Sequence, residues 1–129
     1  VRRLVGSEMC IRDRKTGALI TASVLMGAAC GNPSNDDWDA LTQAGRAIGL
    51  AFQIQDDILD EIAPTETLGK TQGRDQILGK STFPSLLGLE ASEQEAYALV
   101  EIAQGALARV AGDTTMLEQL ARLSVERTN

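Results

Sequence analysis

The 129-residue sequence predicts an all-α protein, on three observations. Aromatic residues make up only 3% of the chain while alanine, leucine and isoleucine are abundant, a mixture that favours helices over strands. Apolar residues recur at helical spacing over most of the chain. Breaks between these periodic segments fall at Gly31, Asn32 and Pro33 and at Pro64 with the glycine-rich stretch that follows it, which mark helix ends and a loop.

The first predicted helix covers residues 15–30, "KTGALITASVLMGAAC", and ends at Gly31, Asn32 and Pro33, a strong stop signal. Residues 1–14, "VRRLVGSEMCIRDR", carry four arginines and show neither a helical stripe nor strand alternation. We therefore treat 1–14 as an atypical N-terminal stretch, either a native lead-in helix or a sequencing artefact. Residues 15–129 are treated as part of one domain.

The second predicted helix covers residues 34–63 and has N-cap candidates at Ser34, Asn35 and Asp36. Gly45 and Gly49 lie one turn apart on it, which predicts close contact with a neighbouring helix. After Pro64, residues 65–82 are rich in glycine, threonine and charge and predict a long loop, a type of segment that is often functional. A short helix at 82–90 and two amphipathic helices at 92–110 and 114–127 complete the chain.

Composition excludes several classes of protein. The net charge of −6 argues against a nucleic-acid-binding surface, which needs a basic face. The sequence has no histidine, which removes Ser-His-Asp and Cys-His catalysis and most zinc sites. Cys10 and Cys30 have no metal-ligand spacing and predict free thiols in a reducing cytoplasm. No segment reaches the roughly 20 apolar residues needed to span a membrane.

Three aspartates lie close together in "GLAFQIQDDILDEI", residues 49–62. On a helix, Asp60 is within one turn of both Asp56 and Asp57, and two such charges about 5 Å apart repel by roughly 3 kcal/mol at an effective dielectric constant of about 20. A solvated helix end would tolerate this, but the preceding "AIGLAFQIQ" is too apolar to be freely solvated. A buried anionic cluster is tolerated when a cation neutralises it, and oxygen ligands with room for water favour Mg²⁺.

Magnesium held by few carboxylates usually shares a substrate phosphate, so cationic partners are expected. Lys70 and Lys80 each follow a glycine in the loop, and Lys15 precedes Thr16 and a glycine. Glycine lets backbone N–H groups approach an anion, and lysine adds charge. The stretch "GRDQILGKS" is not a P-loop, because five residues instead of four separate Gly73 from Gly79.

Taken in order, "KTGALI", "IGLAFQIQDDILD" and "TLGKTQGRDQILGKSTFPSLLGLE" closely resemble the C-terminal half of the trans-polyprenyl diphosphate synthases of the bacterial farnesyl and geranylgeranyl type. The resemblance implies an isoprenoid synthase-type helical bundle, of which this chain is only the C-terminal half, and a homodimer for the full-length protein. It also implies Mg²⁺-assisted condensation of isopentenyl diphosphate with an allylic diphosphate such as dimethylallyl or geranyl diphosphate, giving a short-chain product such as farnesyl diphosphate. Product length is not specified by the residues present.

The resemblance also assigns roles to individual residues. "DDILD" matches the second aspartate-rich motif, so Asp56, Asp57 and Asp60 are expected to bind metal, with Asp75 assisting. Lys15, Lys70 and Lys80 are expected to hold the allylic diphosphate. Thr16 and Gln53 are expected to place oxygens near the developing carbocation. Phe52 is expected to line the isopentenyl pocket.

The first aspartate-rich motif of the family and the basic residues that bind isopentenyl diphosphate have no counterpart in the sequence, so the chain by itself is expected to be inactive. A non-catalytic partner subunit of the same fold remains an alternative, which the intact acidic and lysine residues argue against. A terpene cyclase is a second alternative, disfavoured because cyclases usually carry an Asn/Ser/Glu magnesium motif in place of a second aspartate-rich one.

Overall fold

The computed structural model describes residues 7–62, 84 and 87–128, with side chains described from residue 15. These residues form four helices: α1 (Ser7–Ala29), α2 (Asn35–Ile62), α3 (Leu89–Ala108) and α4 (Thr115–Glu126). The described part of the chain contains no strand, and the all-α prediction is confirmed. No helix within it is long and apolar enough to cross a bilayer.

Helix α1 begins at Ser7, eight residues before the predicted start at Lys15, so the predicted start is wrong. Residues 7–16 contain neither glycine nor proline and include glutamate, methionine and arginine, which are good helix formers. The helix propensity of these residues therefore extends α1 towards the N-terminus, although no hydrophobic periodicity predicts a helix there. The other predicted helices agree with the structure to within three residues at each end. The loop at 65–82 and four positions of the short helix at 82–90, residues 82, 83, 85 and 86, lie outside the described residues.

The turn between α1 and α2 is built from backbone geometry that the sequence signals. Gly31 donates its N–H to the Ala28 carbonyl at 2.9 Å, and Asn32 adopts the left-handed φ of 55° that asparagine tolerates better than most residues. Helix α2 then opens with a reciprocal cap. The Asp37 amide donates to Ser34 Oγ and the Ser34 amide donates to an Asp37 carboxylate oxygen, both at 3.1 Å.

Helices α1 and α2 pack with their backbones in contact. A Cβ added to Gly49 would lie 2.8 Å from the Cα of Gly17, and one added to Gly45 would lie 3.0 Å from the Cα of Thr21. These distances leave no room for side chains on α2 at either position. The predicted close helix contact at Gly45 and Gly49 is confirmed, and the two pairs show that the helices run antiparallel.

The hydrophobic core lies between α2, α3 and α4. Ile54 and Ile58 of α2 are 0% and 1% exposed and form its centre, together with Leu107 of α3. Alanines at seven of the twelve remaining buried positions allow the helices to approach closely. The other buried members of this cluster are Leu41, Ala44, Ala47, Ile48, Ala51, Ala96, Leu99, Val100, Ala103, Ala106, Ala121 and Val125.

The connection between α3 and α4 is tied to the start of α2. Asp37 accepts a hydrogen bond from the Ala111 amide at 3.1 Å. This hydrogen bond from Ala111, together with that from Ser34, holds the pKa of the Asp37 carboxyl below its usual value of 3.8. Nearby, Arg109 donates to Gln43 at 2.6 Å. These contacts therefore hold the N-terminal end of α2 against the α3–α4 connection, at the opposite end of the helix from the acidic motif.

Candidate functional site

The acidic motif at the end of α2 is divided between the interior and the surface. Asp57 is 2% exposed, whereas the Asp56 side chain is 54% exposed and Asp60 is half-buried. Successive residues of a helix are rotated by about 100°, so adjacent aspartates cannot share a face. The expectation of one buried carboxylate cluster is therefore corrected: Asp57 is the carboxylate that the apolar surroundings enclose.

Gln53 supplies a hydrogen bond to this buried carboxylate. Its Nε2 donates to Asp57 Oδ1 at 3.4 Å across one helical turn, and the Gln53 residue is only 5% exposed. A carboxylate needs donors when it leaves water, and the amide nitrogen is the only donor that glutamine offers. Since the nitrogen faces Asp57, the amide oxygen Oε1 lies on the other side of the group and is directed elsewhere. The pair thus fixes the orientation of the Gln53 amide.

On the neighbouring face of α2, three side chains come together at the surface. The Arg127 guanidinium lies 4.2 Å from the centre of the Phe52 ring and donates to the Phe52 carbonyl at 3.1 Å. Another nitrogen–oxygen separation, 3.8 Å, joins Arg127 to Asp56. This last contact involves a half-exposed carboxylate and contributes at most about 1 kcal/mol, since water screens it.

Sequence reasoning did not find Arg127. It lies 75 residues from Phe52 along the chain and directly follows α4, where a basic residue also has an ordinary explanation as a helix C-terminal charge. Only the packing of α4 on α2 brings the two together. No pattern in the sequence predicts that contact.

The predicted residues of α1 lie beside this end of α2. Gly17 is opposite Gly49 and Thr21 is opposite Gly45. In this antiparallel register, residues that precede Gly17 on α1 lie level with residues that follow Gly49 on α2. Lys15, two residues before Gly17, is therefore level with Ala51, two residues after Gly49. Asp56 lies five residues further, roughly 7 Å along the axis, a distance comparable to the length of a lysine side chain. Lys15 is exposed and Thr16 is half-buried.

The remaining predicted residues, Lys70, Lys80 and Asp75, lie outside the described residues, so the loop half of the candidate site stays a prediction. Among the residues with described side chains, no group of three His, Cys, Asp or Glu is arranged to hold a metal ion. A closed, all-protein metal cage is therefore not formed by the described part of the chain.

The described carboxylates nevertheless fit an open magnesium site. Asp56 and Asp60 are one turn apart and reach solvent at the end of α2. Mg²⁺ prefers oxygen ligands, keeps several waters and is usually bound through one or two carboxylates together with substrate phosphates. Two accessible carboxylates beside a lysine-bearing helix match that chemistry, whereas Asp57 is enclosed in the interior.

This helical arrangement and acidic motif are those of an isoprenoid synthase-type fold, and comparison with known proteins identifies the family. The sequence model described as polyprenyl synthetase matches residues 8–120. The chain therefore belongs to the polyprenyl synthetase family. The match begins inside the arginine-rich N-terminal stretch, one residue after the start of α1.

Individual relatives agree. The chain is 47% identical to farnesyl diphosphate synthase of Escherichia coli (strain K12), over 91% of the chain and 40% of the relative. It is 42% identical to a dimethylallyltranstransferase of Fischerella ambigua, over 92% of the chain and 34% of the relative. The crystal structure of geranylgeranyl pyrophosphate synthetase from Pyrococcus horikoshii superimposes with a TM-score of 0.75 at 28% identity, over 90% of this chain and 47% of that one. The chain thus spans less than half the length of these proteins.

Proposed function

We propose that the chain forms the metal- and diphosphate-binding half of a prenyltransferase that condenses isopentenyl diphosphate with dimethylallyl or geranyl diphosphate. The observation that carries the proposal is the end of α2, where a buried Gln53–Asp57 pair lies next along the helix to the accessible Asp56. Family membership supports the same reading. The short-chain product, farnesyl diphosphate, is proposed from the likeness to the Escherichia coli relative.

In the proposed reaction the allylic C–O bond breaks, and the diphosphate leaves with the bonding electrons. The double bond of isopentenyl diphosphate attacks the resulting carbocation, which moves the positive charge onto the isopentenyl unit. A proton then passes from that unit to the released diphosphate, which leaves a neutral double bond. Bound Mg²⁺ would supply Lewis-acid stabilisation of the departing diphosphate, with Asp56 and Asp60 as its protein ligands, Asp57 behind them, and Asp75 acting through water.

The side chains of the protein would bind and orient the substrates. Lys15, together with Lys70 and Lys80, would neutralise the negative charge on the allylic diphosphate. Gln53 donates through Nε2 to Asp57 and so has its amide oxygen available for the developing positive charge, with the Thr16 hydroxyl as a second oxygen. Phe52, which is 37% exposed, would form an apolar wall for isopentenyl diphosphate.

A hybrid enzyme tests this proposal. The matching segment of the Escherichia coli farnesyl diphosphate synthase is replaced by this chain, and incorporation of radiolabelled isopentenyl diphosphate is measured with Mg²⁺. Activity is expected, and Asp56→Asn is expected to lower it by more than about a hundredfold. Asp39→Asn makes the same change at the opposite end of α2, where Asp39 is exposed, and should leave activity unchanged.

The outcomes separate the alternatives. A folded but inactive hybrid would contradict the proposal and favour a non-catalytic subunit of the same fold. Cyclic hydrocarbon products would favour a terpene cyclase. The 129-residue chain tested alone is expected to be inactive, because it lacks the first aspartate-rich motif, and measurable turnover would contradict that expectation.

We also propose that the full-length protein is a homodimer. Leu19 and Met26 on α1 are 69% and 73% exposed although α1 is apolar on several sides, which supports a further packing surface on this helix. Sedimentation analysis of the hybrid, with Met26→Gln as a variant, tests this. A monomeric hybrid would contradict it.

A further inference from the structure

The segment after α4 returns to α2 beside the candidate site. Arg127 terminates α4: its amide donates to the Leu123 carbonyl at 3.1 Å, and its own φ and ψ of −67° and 150° turn the chain into an extended conformation. Its carbonyl accepts a hydrogen bond from Gln55 Nε2 at 3.3 Å. The backbone at position 127 is thus held against the same turns of α2 that carry Phe52 and Asp56.

The guanidinium of Arg127 makes two contacts with Phe52. The central carbon of the guanidinium, Cζ, lies over the Phe52 ring at 4.2 Å from its centre, and Nη2 donates to the Phe52 carbonyl at 3.1 Å. The contact to Asp56 is longer, at 3.8 Å, and involves a 54% exposed carboxylate that water screens, so it holds the guanidinium less firmly than the two contacts to Phe52. The dominant partner of Arg127 among these two residues is therefore Phe52.

This arrangement constrains the aromatic ring. The hydrogen bond fixes the guanidinium relative to the α2 backbone, and the stacked guanidinium then restricts the rotation of the ring about its side-chain bonds. Arginine suits this position because its planar group can stack and donate at the same time, which an ammonium group cannot. Phe52 is still 37% exposed, so part of the ring surface remains available to a ligand.

We propose that Arg127 is a positioning residue for Phe52 and that it holds this ring as a wall for a neutral hydrocarbon group that binds before bond formation. The second part rests on the proposed function. Aromatic rings attract cations through the negative charge of their faces. With a guanidinium already stacked on Phe52, a second positive charge at the ring would be repelled by Arg127. The ring therefore suits the carbon chain of isopentenyl diphosphate as it binds, when that chain is uncharged.

The positioning role is tested in the 129-residue chain by fluorine NMR with 4-fluorophenylalanine. The sequence has two phenylalanines, Phe52 and Phe83, so a Phe83→Leu variant assigns the signals. Arg127→Gln is expected to shift and narrow the Phe52 signal, because the ring gains rotational freedom. Arg122→Gln removes an exposed arginine of α4 and should leave the signal in place.

Circular dichroism and the fluorescence of Trp38, at the other end of α2, report whether each variant is folded. If Arg127→Gln unfolds, Arg127→Lys is measured instead, since it keeps the charge near Asp56 and removes the planar group. An unchanged Phe52 signal in a folded Arg127 variant, or an equal change in Arg122→Gln, would overturn the positioning role. This readout needs no catalytic activity, so it is independent of the proposed reaction.

The substrate assignment is tested in the hybrid enzyme. Arg127→Gln is expected to raise KM for isopentenyl diphosphate by about three- to tenfold while kcat changes less than about twofold. A fall in kcat with unchanged KM would overturn the assignment to the neutral substrate. An inactive unsubstituted hybrid would count against the proposed function, whereas the NMR result would still decide the role of Arg127.

Discussion

Gly49 of α2 lies against Gly17 of α1 so closely that a Cβ on Gly49 would be 2.8 Å from the Gly17 Cα. That backbone contact brings Lys15 and Thr16 to the acidic end of α2. It also makes two glycines of the same helix pair respond differently to the same substitution. The difference gives a direct test of the packing.

Gly49→Ala is expected to lower the free energy of unfolding by about 1–3 kcal/mol, because the added methyl group meets backbone that cannot move independently of α1. Gly17→Ala is the matched control, since a Cβ there meets nothing within 4 Å among the described residues. It should be neutral or stabilising by up to about 1 kcal/mol through helix propensity. Urea denaturation followed by circular dichroism measures both. Equal effects would contradict the packing.

Thr21 presents a second testable feature of the same contact. Its hydroxyl is buried and has no hydrogen-bond partner among the described residues. Thr21→Val keeps the shape and removes the polar group, so it should raise the free energy of unfolding by about 1 kcal/mol. Thr42→Val makes the same change where the hydroxyl donates to the Trp38 carbonyl at 2.7 Å, and should instead be destabilising. The pair is compared by urea denaturation. Destabilisation by Thr21→Val would show that its hydroxyl is satisfied.

The buried amide of Gln53 should matter for stability as well as for the site. Gln53→Met retains the volume but removes the donor to Asp57, so it should lower the free energy of unfolding by about 1–3 kcal/mol. Gln94→Met, at an exposed position of α3, should change it by less than about 0.5 kcal/mol. Thermal unfolding followed by circular dichroism measures both variants. A neutral Gln53→Met would show that the pair does not stabilise the helix end.

Acid should weaken the contact between α2 and the α3–α4 connection. Hydrogen bonds from Ala111 and Ser34 lower the pKa of Asp37 from 3.8 in the unfolded chain. A carboxyl whose pKa is lower in the folded state contributes stability above its unfolded pKa and loses it as the pH falls through the folded pKa. This contribution should therefore be complete above about pH 4 and fade below it.

Asp37→Asn tests this pH dependence. Asparagine cannot accept both hydrogen bonds as a carboxylate does, so the variant should be less stable at neutral pH and should lose less stability on acidification. Asp36→Asn, one residue earlier on α2 and exposed, provides the comparison. Parallel loss of stability in the wild-type chain and Asp37→Asn on acidification would contradict the assignment. Carboxyl NMR titration gives the direction of the Asp37 shift independently.

Local chemistry determined much of this protein directly from its sequence. The stop at Gly31, Asn32 and Pro33 and the cap at Ser34 depend on neighbouring residues only, and the structure confirms both. The spacing of Gly45 and Gly49 on α2 predicted a close helix contact, because two helix backbones can touch only where no side chain separates them. The acidic motif indicated the family because the "KTG" motif before it and the glycine- and lysine-containing motif after it are present in the same order.

Tertiary structure decided which aspartate is buried and what accompanies it. Helix rotation separates Asp56 from Asp57, but only packing against the rest of the bundle determines that Asp57 is the one enclosed. The meeting of Arg127 with Phe52 depends on the fold of the 75 residues between them, and no local pattern encodes a contact between such distant positions. The start of α1 at Ser7 lies between these cases, because propensity allows the helix there without a periodic pattern to predict it.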